Sequence, residues 1–290
     1  MHRILSRLRR WILTVAAALG VSSPVHDRTV RVMSWNIRHG LGVDGRLDLD
    51  RTADVVATSG ARLVGLQEVD RHWGGRSEFA DQATELARRL DMHVVFGANL
   101  DLDPLQPGQP RRQYGTAILS DFPIHHSRNT LLPRTGNREQ RGLLEALVTV
   151  RGTPVRFCTT HLQHDSQPER LLQVAAVRGV IGGAQEPVVL TGDLNARPDT
   201  PEIDAITEDL VDAWAEAGVG DGSTFPGAGA RWDYVLHSDD VVARRAAVLG
   251  TDASDHLPVT ADLVLPGHRG GAGSAAGGWR HGVSRTGEGV

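Results

Sequence analysis

The chain has 290 residues, 40% hydrophobic and 23% charged, which suits a soluble globular protein of one large domain or two modest ones. All 31 basic residues are arginine, which excludes a catalytic lysine and a Walker-type phosphate loop. The single cysteine, Cys158, excludes an intrachain disulfide and argues against a thiolate metal site, and between Phe157 and Thr159 it reads as a buried thiol.

Residues 1–29 open basic ("MHRILSRLRR"), turn apolar ("WILTVAAALGV") and end polar, the order of an export signal. Arg9 and Arg10, directly before the apolar run, resemble a twin-arginine signal. Eleven apolar residues fall short of the roughly 20 that span a bilayer. The expectation is therefore an exported protein, extracellular or tethered to a membrane through its N-terminus. Residues 30–266 read as the folded domain and the Gly-rich stretch 267–290 as a disordered tail. The first 30 residues carry five Arg and one Asp, and the last 24 carry three Arg and one Glu, which leaves the stretch between at −10 of the overall −4. So acidic a domain lacks the bulk electrostatic footprint of a nonspecific nucleic-acid binder, although a bound cation could offset it locally.

In chain order, "VRVMSWNI" (30–37) predicts a buried strand that ends at Asn36. Asp48 or Asp50 caps a helix that runs to about residue 59, where Gly60 ends it. "ARLVGLQEV" predicts a second buried strand ending in Glu68, and "FADQATELARRL" a helix followed by a strand at "MHVVFG". Residues 100–113 read as a loop. Four strand-like runs come next: "YGTAILS", "PIHHSRN", "LLEALVTV" and "VRFCTTHL". A helix follows at "PERLLQVAAVRGVI", with Pro168 in its first turn, then a strand and loop at "PVVLTGDLN" and a short helix at "PEIDAI". Strands at "WDYVLH", "VVARRAAVL" and "VTADLVL" complete the domain. Strands that come both in helix-separated units and in hairpin-like succession predict mixed sheets with helices outside.

"GLGVDG" (40–45) fits G-x-G-x-x-G after a strand, the pattern of a dinucleotide-binding loop, and Glu68 stands near the expected offset. Against this, the helix cap comes three to five residues late, and Asp44, Asp48 and Asp50 would repel a pyrophosphate. The loop therefore reads as a surface turn.

Six polar clusters sit directly after apolar strands: "SWN" (34–36), "LQE" (66–68), "TTH" (159–161), "TGDLN" (191–195), "WDY" (232–234) and "SDH" (254–256). Each alone has a dull explanation as a strand end, a turn or a satisfied core histidine. Together they supply carboxylates, amides and imidazoles without thiols, which suits a hard cation working on a phosphate.

In this order "SWNIRHG", "LQEVD", "YGTAILS", "TTHLQ", "TGDLNARP", "RWDYVL" and "SDHLPV" resemble the endonuclease/exonuclease/phosphatase superfamily over residues 30–266. "GDLN" and "SDH" with "QE" upstream are the specific pieces. The "NIRHG" and "DGRLD" region is most similar to exported bacterial metal-dependent hydrolases and to the phosphodiesterase-like domain of GPI-anchor lipid-remodelling proteins. The resemblance implies an α/β (α+β) fold, a four-layer α/β sandwich of two packed mixed β-sheets flanked by helices, with the site at one edge.

It also implies roles. Glu68 would be the main Mg²⁺ carboxylate, with Asn36 and Asp255 completing or steering the metal site; Mn²⁺ or Ca²⁺ are alternatives. Asp193 would position or deprotonate the attacking water, and Asn195 would bond that water or a phosphoryl oxygen. Asp233 would fix the tautomer of His256, which serves as general base or phosphate contact; the division between His256 and Asp193 stays open. His161 would stabilise charge on the phosphoryl or leaving oxygen, and Tyr114 would donate to a phosphate oxygen. Arg38, His39 and Arg141 are candidate substrate contacts, with Arg138 similar. His125 and His126, adjacent on a strand, should face opposite ways, and His164 should be exposed.

These readings converge on a secreted Mg²⁺-dependent phosphoric ester hydrolase. The expected activity is a phosphodiesterase that cleaves a lipid-headgroup or small phosphodiester through metal-activated water. An extracellular nuclease of the same fold is the alternative, with nucleic acid as its partner. A dinucleotide-binding oxidoreductase acting through Gly40–Gly45 is the second. A monomer with no obligate protein partner is expected. Substrate choice should lie in loops 70–78, 100–113 and 133–141, where Trp73 is a stacking candidate or a packed anchor.

Overall fold

The computed structural model describes residues 28–267; the stretches read as an export signal and as a disordered tail lie outside the described residues, apart from their innermost positions. Two six-stranded sheets form the body. In chain order the elements are β1 (Thr29–Asn36), α1 (Leu49–Ser59), β2 (Leu63–Arg71), α2 (Gln82–Leu90), β3 (His93–Leu102), β4 (Arg112–Ser120), β5 (Ile124–Leu131) and β6 (Gly142–Val150). Then come β7 (Thr153–His161), α3 (Gln167–Ile181), β8 (Val188–Asp193), α4 (Pro201–Thr207), β9 (Val211–Asp212), α5 (Ala213–Ala217), β10 (Asp233–His237), β11 (Val242–Val248) and β12 (Val259–Val264).

The first sheet has the order β11-β12-β1-β2-β4-β3 and the second β5-β6-β7-β8-β10-β9. Each is antiparallel except for one central parallel pair, β1 with β2 and β7 with β8, joined in each case through a helix. Three apolar clusters define four layers. One lies between the sheets and includes Val32, Leu63, Phe157, Val189 and Val235. A second packs α1 and α2 (Val56, Leu86) on the outer face of the first sheet through Met33, Trp35 and Leu66. The third packs α3 and α4 (Val177, Ile203) on the second sheet through Cys158, Leu190 and Leu236. Sandwich, mixed sheets and flanking helices agree with the reading of the sequence.

The helix punctuation also follows local chemistry. The Asp48 carboxylate accepts from the Arg51 N–H at the start of α1, and Gly60 closes that helix at φ 70°. Asp81 and Ser166 cap α2 and α3 in the same way.

Several boundaries differ from expectation. β3 runs to Leu102 and β4 starts at Arg112, so the loop read as 100–113 is shorter because cross-strand pairing carries both strands outward. β2 continues past Glu68 to Arg71 through a register shift. β5 carries a shift between Ile124 and His126, and both His125 and His126 are exposed. The short β9–α5 unit had no periodicity long enough to read.

The glycine loop is no nucleotide cradle. Gly42 N–H bonds Arg46 O, the Asp44 carboxylate accepts both guanidinium nitrogens of Arg51 at 3.0 and 3.1 Å, and the α1 N-terminus is occupied by Asp48. A carboxylate already sits where a pyrophosphate would need to bind. The dinucleotide alternative is corrected on this geometry.

Candidate active site

Strand alternation decides which side chains reach the gap between the sheets. On β1, Val30 and Val32 join the inner core while Met33 and Trp35 join the outer one, so Asn36 falls on the inner face. The same parity runs through Phe157 to His161 on β7, Val189 to Asp193 on β8, and Val235 to Asp233 on β10. Register then sets Asp193 opposite His161 on one neighbour and opposite Asp233 on the other. All four polar residues are buried.

Gly65 sits on the inner face of β2, where a Cβ would overlap the hydroxyls of Thr191 and Thr159. The sheets touch there, just behind the polar end. Beside it, Gln67 Nε2 donates across the gap to Thr159 Oγ1 at 2.8 Å.

Glu68 arrives by another route. In a regular strand the residue after inward-facing Gln67 would point out toward α1 and α2. Instead the register with β4 shifts between Leu66 and Val69, and Glu68 adopts φ 56°. This bulge turns the carboxylate back toward Asn36, whose Nδ2 donates to Glu68 Oε1 at 3.0 Å.

His256 comes from the loop between β11 and β12. Trp35 Nε1 donates to its carbonyl at 3.0 Å, and its N–H bonds Ser254 Oγ, which in turn donates to Asn36 O. Phe225 packs 4.7 Å from the imidazole, centroid to centroid.

Asp193 is the hub. Its Oδ2 accepts from Asn36 Nδ2 at 3.1 Å and faces His161 Nε2 at 3.4 Å and His256 Nε2 at 3.7 Å. Its Oδ1 accepts the Asn195 N–H at 3.0 Å. Because one amide nitrogen serves both carboxylates, Glu68 and Asp193 lie within hydrogen-bonding distance of the same atom. His256 Nδ1 meets Asp233 Oδ2 at 2.9 Å, and Asp233 Oδ1 is buried with no hydrogen-bond partner.

The two histidines are driven in opposite directions. Burial depresses His161 well below the usual histidine range, helped by the charges of Arg141, His256 and His164. Burial also pulls His256 down, but the charge and hydrogen bond of Asp233, with Asp193 and Asp255 adding, lift it to about 10. Burial and the Asp233 charge raise the Asp193 carboxyl against the opposing influence of His256, Asn36 and Asn195. Arg141, itself buried, donates from Nη1 to His161 Nδ1 at 3.0 Å. That nitrogen is thereby an acceptor, so neutral His161 carries its proton on Nε2, facing Asp193.

The remaining candidates surround this centre. Asn195 is held by donation from Nδ2 to Leu162 O at 3.0 Å, in a left-handed backbone at φ 49°. Tyr114 is buried on β4, its hydroxyl raised well above its ordinary range by burial and then by Glu68 and Glu139. His39 is depressed by burial and then by Arg76, and its Nδ1 is buried without a partner. Asp255 pairs with Arg38, Oδ2 to Nε, at 3.4 Å. Arg138 is drawn to Asp165 at 3.0 Å, and His164 is exposed.

Two donor sets could hold a cation. Ligand atoms of Asp193, Asp233 and His256 lie within 4.8 Å of one another, the group of three that close among the described residues. Within it, however, His256 Nδ1 and Asp233 Oδ2 already bond each other. Glu68, Asn36 and Asp193 form the other, an all-oxygen set once the amide presents Oδ1, which at present accepts the Arg38 N–H at 3.0 Å. Two carboxylates and an amide oxygen fit a hard divalent cation such as Mg²⁺.

Residues 33–256 match the endonuclease/exonuclease/phosphatase family. The chain belongs to that family. Its members are hydrolases of phosphoester bonds. The structure is similar to an endonuclease/exonuclease/phosphatase from Beutenbergia cavernae, at 29% identity and TM-score 0.72, covering 83% of this chain and 72% of that one. The fold is shared with a mannosyl-6-phosphatase from Bacteroides thetaiotaomicron, at 20% identity and TM-score 0.64, covering 81% of this chain and all of that one, 100%. In sequence, 159 residues (54% of this chain) are 28% identical to Protein cwh43 of Schizosaccharomyces pombe, of which they span 15%.

Alternation and strand-end chemistry singled out most of the converging residues. Arg76, Asp70 and Glu139 were missed, since nothing in the sequence marks a loop arginine or a strand aspartate as facing the site.

Proposed function

We propose that this family member is an exported, Mg²⁺-dependent phosphodiesterase that hydrolyses a lipid-headgroup or small phosphodiester with a water nucleophile. The observation that carries the reading is the buried Asp193 carboxylate. It is ringed by Asn36, a neutral His161 and an Asp233-paired His256, with Glu68 on the same amide. The acidic domain and the N-terminal signal pattern favour a small or lipid phosphodiester over nucleic acid.

Glu68 and Asn36 would hold the cation, which when bound polarises a phosphoryl oxygen and offsets developing charge. Asp193, with its carboxyl raised toward neutrality, is matched to accepting a proton from the attacking water. His256, kept cationic by Asp233, offers Nε2–H to a phosphoryl oxygen, and neutral His161 offers a second donor from Nε2. We assign the roles the sequence left open in this way: base to Asp193, cationic donor to His256. Both groups are shifted upward, but His256 holds its proton well above neutral pH while the Asp193 carboxyl can still give up and take up a proton near it.

The test is turnover of sphingomyelin, inositol phospholipid, bis(p-nitrophenyl) phosphate and duplex DNA by wild type and His256→Ala, with Mg²⁺ and with EDTA. Expected is Mg²⁺-dependent cleavage of a lipid or small diester, reduced by about 10²–10⁴-fold in the variant. Cleavage of DNA alone assigns the chain to the nuclease reading, and activity indifferent to EDTA removes the metal from the mechanism.

A further inference from the structure

Outside the Asp193 hub, one charged cluster faces the same centre from the loop after β2. Asp70 is fully buried, and Arg76 clamps it in bidentate fashion, Nε to Oδ2 at 2.8 Å and Nη2 to Oδ1 at 2.7 Å. The guanidinium lies 5.4 Å from the Tyr114 ring centroid and 5.6 Å from that of Trp73, and those two rings stand 5.8 Å apart. Gln82, also fully buried, locks the base of the assembly: its Oε1 accepts the Asp70 N–H, and its Nε2 donates to His39 O at 2.7 Å.

Neutralising Asp70 would need only a buried guanidinium. Arg76 instead keeps 43% of its side chain exposed, and its third nitrogen, Nη1, hydrogen-bonds to none of the described residues. Asp70 pairs with Tyr114 across β2 and β4, directly after the bulge that carries Glu68, so the clamp and its aromatic ring stand next to that carboxylate in the sheet. A rigid cation held by a buried carboxylate, bordered by two neighbouring aromatic rings and presenting one open edge, is prepared to bind an anion with little ordering cost.

We propose that Arg76, anchored by Asp70 and flanked by Trp73 and Tyr114, is a substrate-binding residue that takes an anionic phosphoryl oxygen beside Glu68. This rests on reading the Asp193 centre as a phosphoesterase and adds a determinant of its substrate: an ester with a free, negatively charged non-bridging oxygen. Trp73 supplies an apolar wall for the group attached to that phosphate.

The experiment is calorimetric titration of inorganic phosphate into the full chain with Mg²⁺ present, for wild type, Arg76→Lys and Arg76→Gln, with a thermal melt of each. Wild type should bind phosphate. Arg76→Gln should raise the Kd about tenfold or more, and Arg76→Lys should recover part of the loss by keeping charge without the planar fork. If Arg76→Gln unfolds because Asp70 is left buried and unpaired, the Asp70→Asn/Arg76→Gln double variant removes both charges and its Kd is read in the same way. Equal Kd values in wild type and the Gln variants overturn the proposal, as does a wild type that binds no phosphate. Turnover is scored separately. Phosphate binding that depends on Arg76 without ester cleavage keeps the subsite and rejects the phosphodiesterase. Cleavage with Arg76-independent binding does the reverse.

Discussion

The two sheets build their halves of the site in different ways. The second sheet contributes His161, Asp193 and Asp233 from three adjacent strands in unbroken register, each an even number of residues beyond an apolar core position. The first sheet contributes Asn36 from a regular strand, but Glu68 comes from a bulge. Left-handed backbone at non-glycine residues gathers on that side: Arg38, His39, Glu68, His72, Glu78 and Phe79 all have φ between 45° and 56°. Regular strands place side chains that must face one another across a fixed spacing. A side chain that must turn toward a neighbour on the wrong parity needs irregular backbone, at a cost of about 1–2 kcal/mol for each left-handed L-residue.

The sharpest way to break this comparison is Glu68→Gly. If the bulge is strained to aim a carboxylate, glycine relieves the strain and removes the ligand. Turnover should fall roughly 10²- to 10³-fold while denaturant unfolding shows a gain of about 1 kcal/mol. A variant that loses stability with its activity would mean that the Glu68 contacts, not the backbone, hold this region.

The regular half should respond differently, through side-chain orientation and without a stability gain. Arg141→Met removes the donor that fixes the His161 tautomer, and kcat should drop about 10- to 100-fold. An unchanged kcat would leave Arg141 with only its ion pair to Glu139 at 2.6 Å.

The smallest effect concerns the loop that carries Arg141. Buried Glu169 at the start of α3 accepts from both the N–H and the hydroxyl of Thr135, pinning that loop. Burial alone would raise this carboxyl, but the Thr135 and Gln163 donors outweigh it and hold the group below its ordinary value of 4.5. A carboxyl depressed in the folded state stabilises above its unfolded pKa and loses that contribution as pH falls through the folded one. Glu169→Gln should therefore be about 1 kcal/mol less stable than wild type at pH 7, with the difference shrinking below pH 4.5. A difference constant from pH 7 to pH 3 would contradict the assignment.

Legibility in the sequence followed the same division. Apolar runs ending in "SWN", "TTH" and "TGD", and the run that "WDY" opens, showed both the strand and the residue at its polar end, because alternation is a local property with a period of two. "LQE" looked like another strand end, yet the strand continues for three residues and the carboxylate is delivered by a register slip. Asp255, read as completing or steering the metal site, pairs with Arg38, whose own N–H bonds Asn36 Oδ1. Arg141 looked like one of several loop arginines and proved to be a buried partner of His161, while Arg138 in the same loop pairs with Asp165.

The two-sheet sandwich and the family followed from the resemblance that the ordered motifs carry; composition, strand alternation and the polar strand ends were enough to reach mixed sheets with outer helices and the chemistry of oxygen and imidazole donors. They did so because burial imposes a short-range pattern on every strand that has one face in the core. The bulge at Glu68, the Arg141–His161 lock and the Arg76–Asp70 clamp emerged only once the chain was folded. Each depends on which distant segments come into contact, and no local periodicity encodes a contact between side chains that share neither strand nor register.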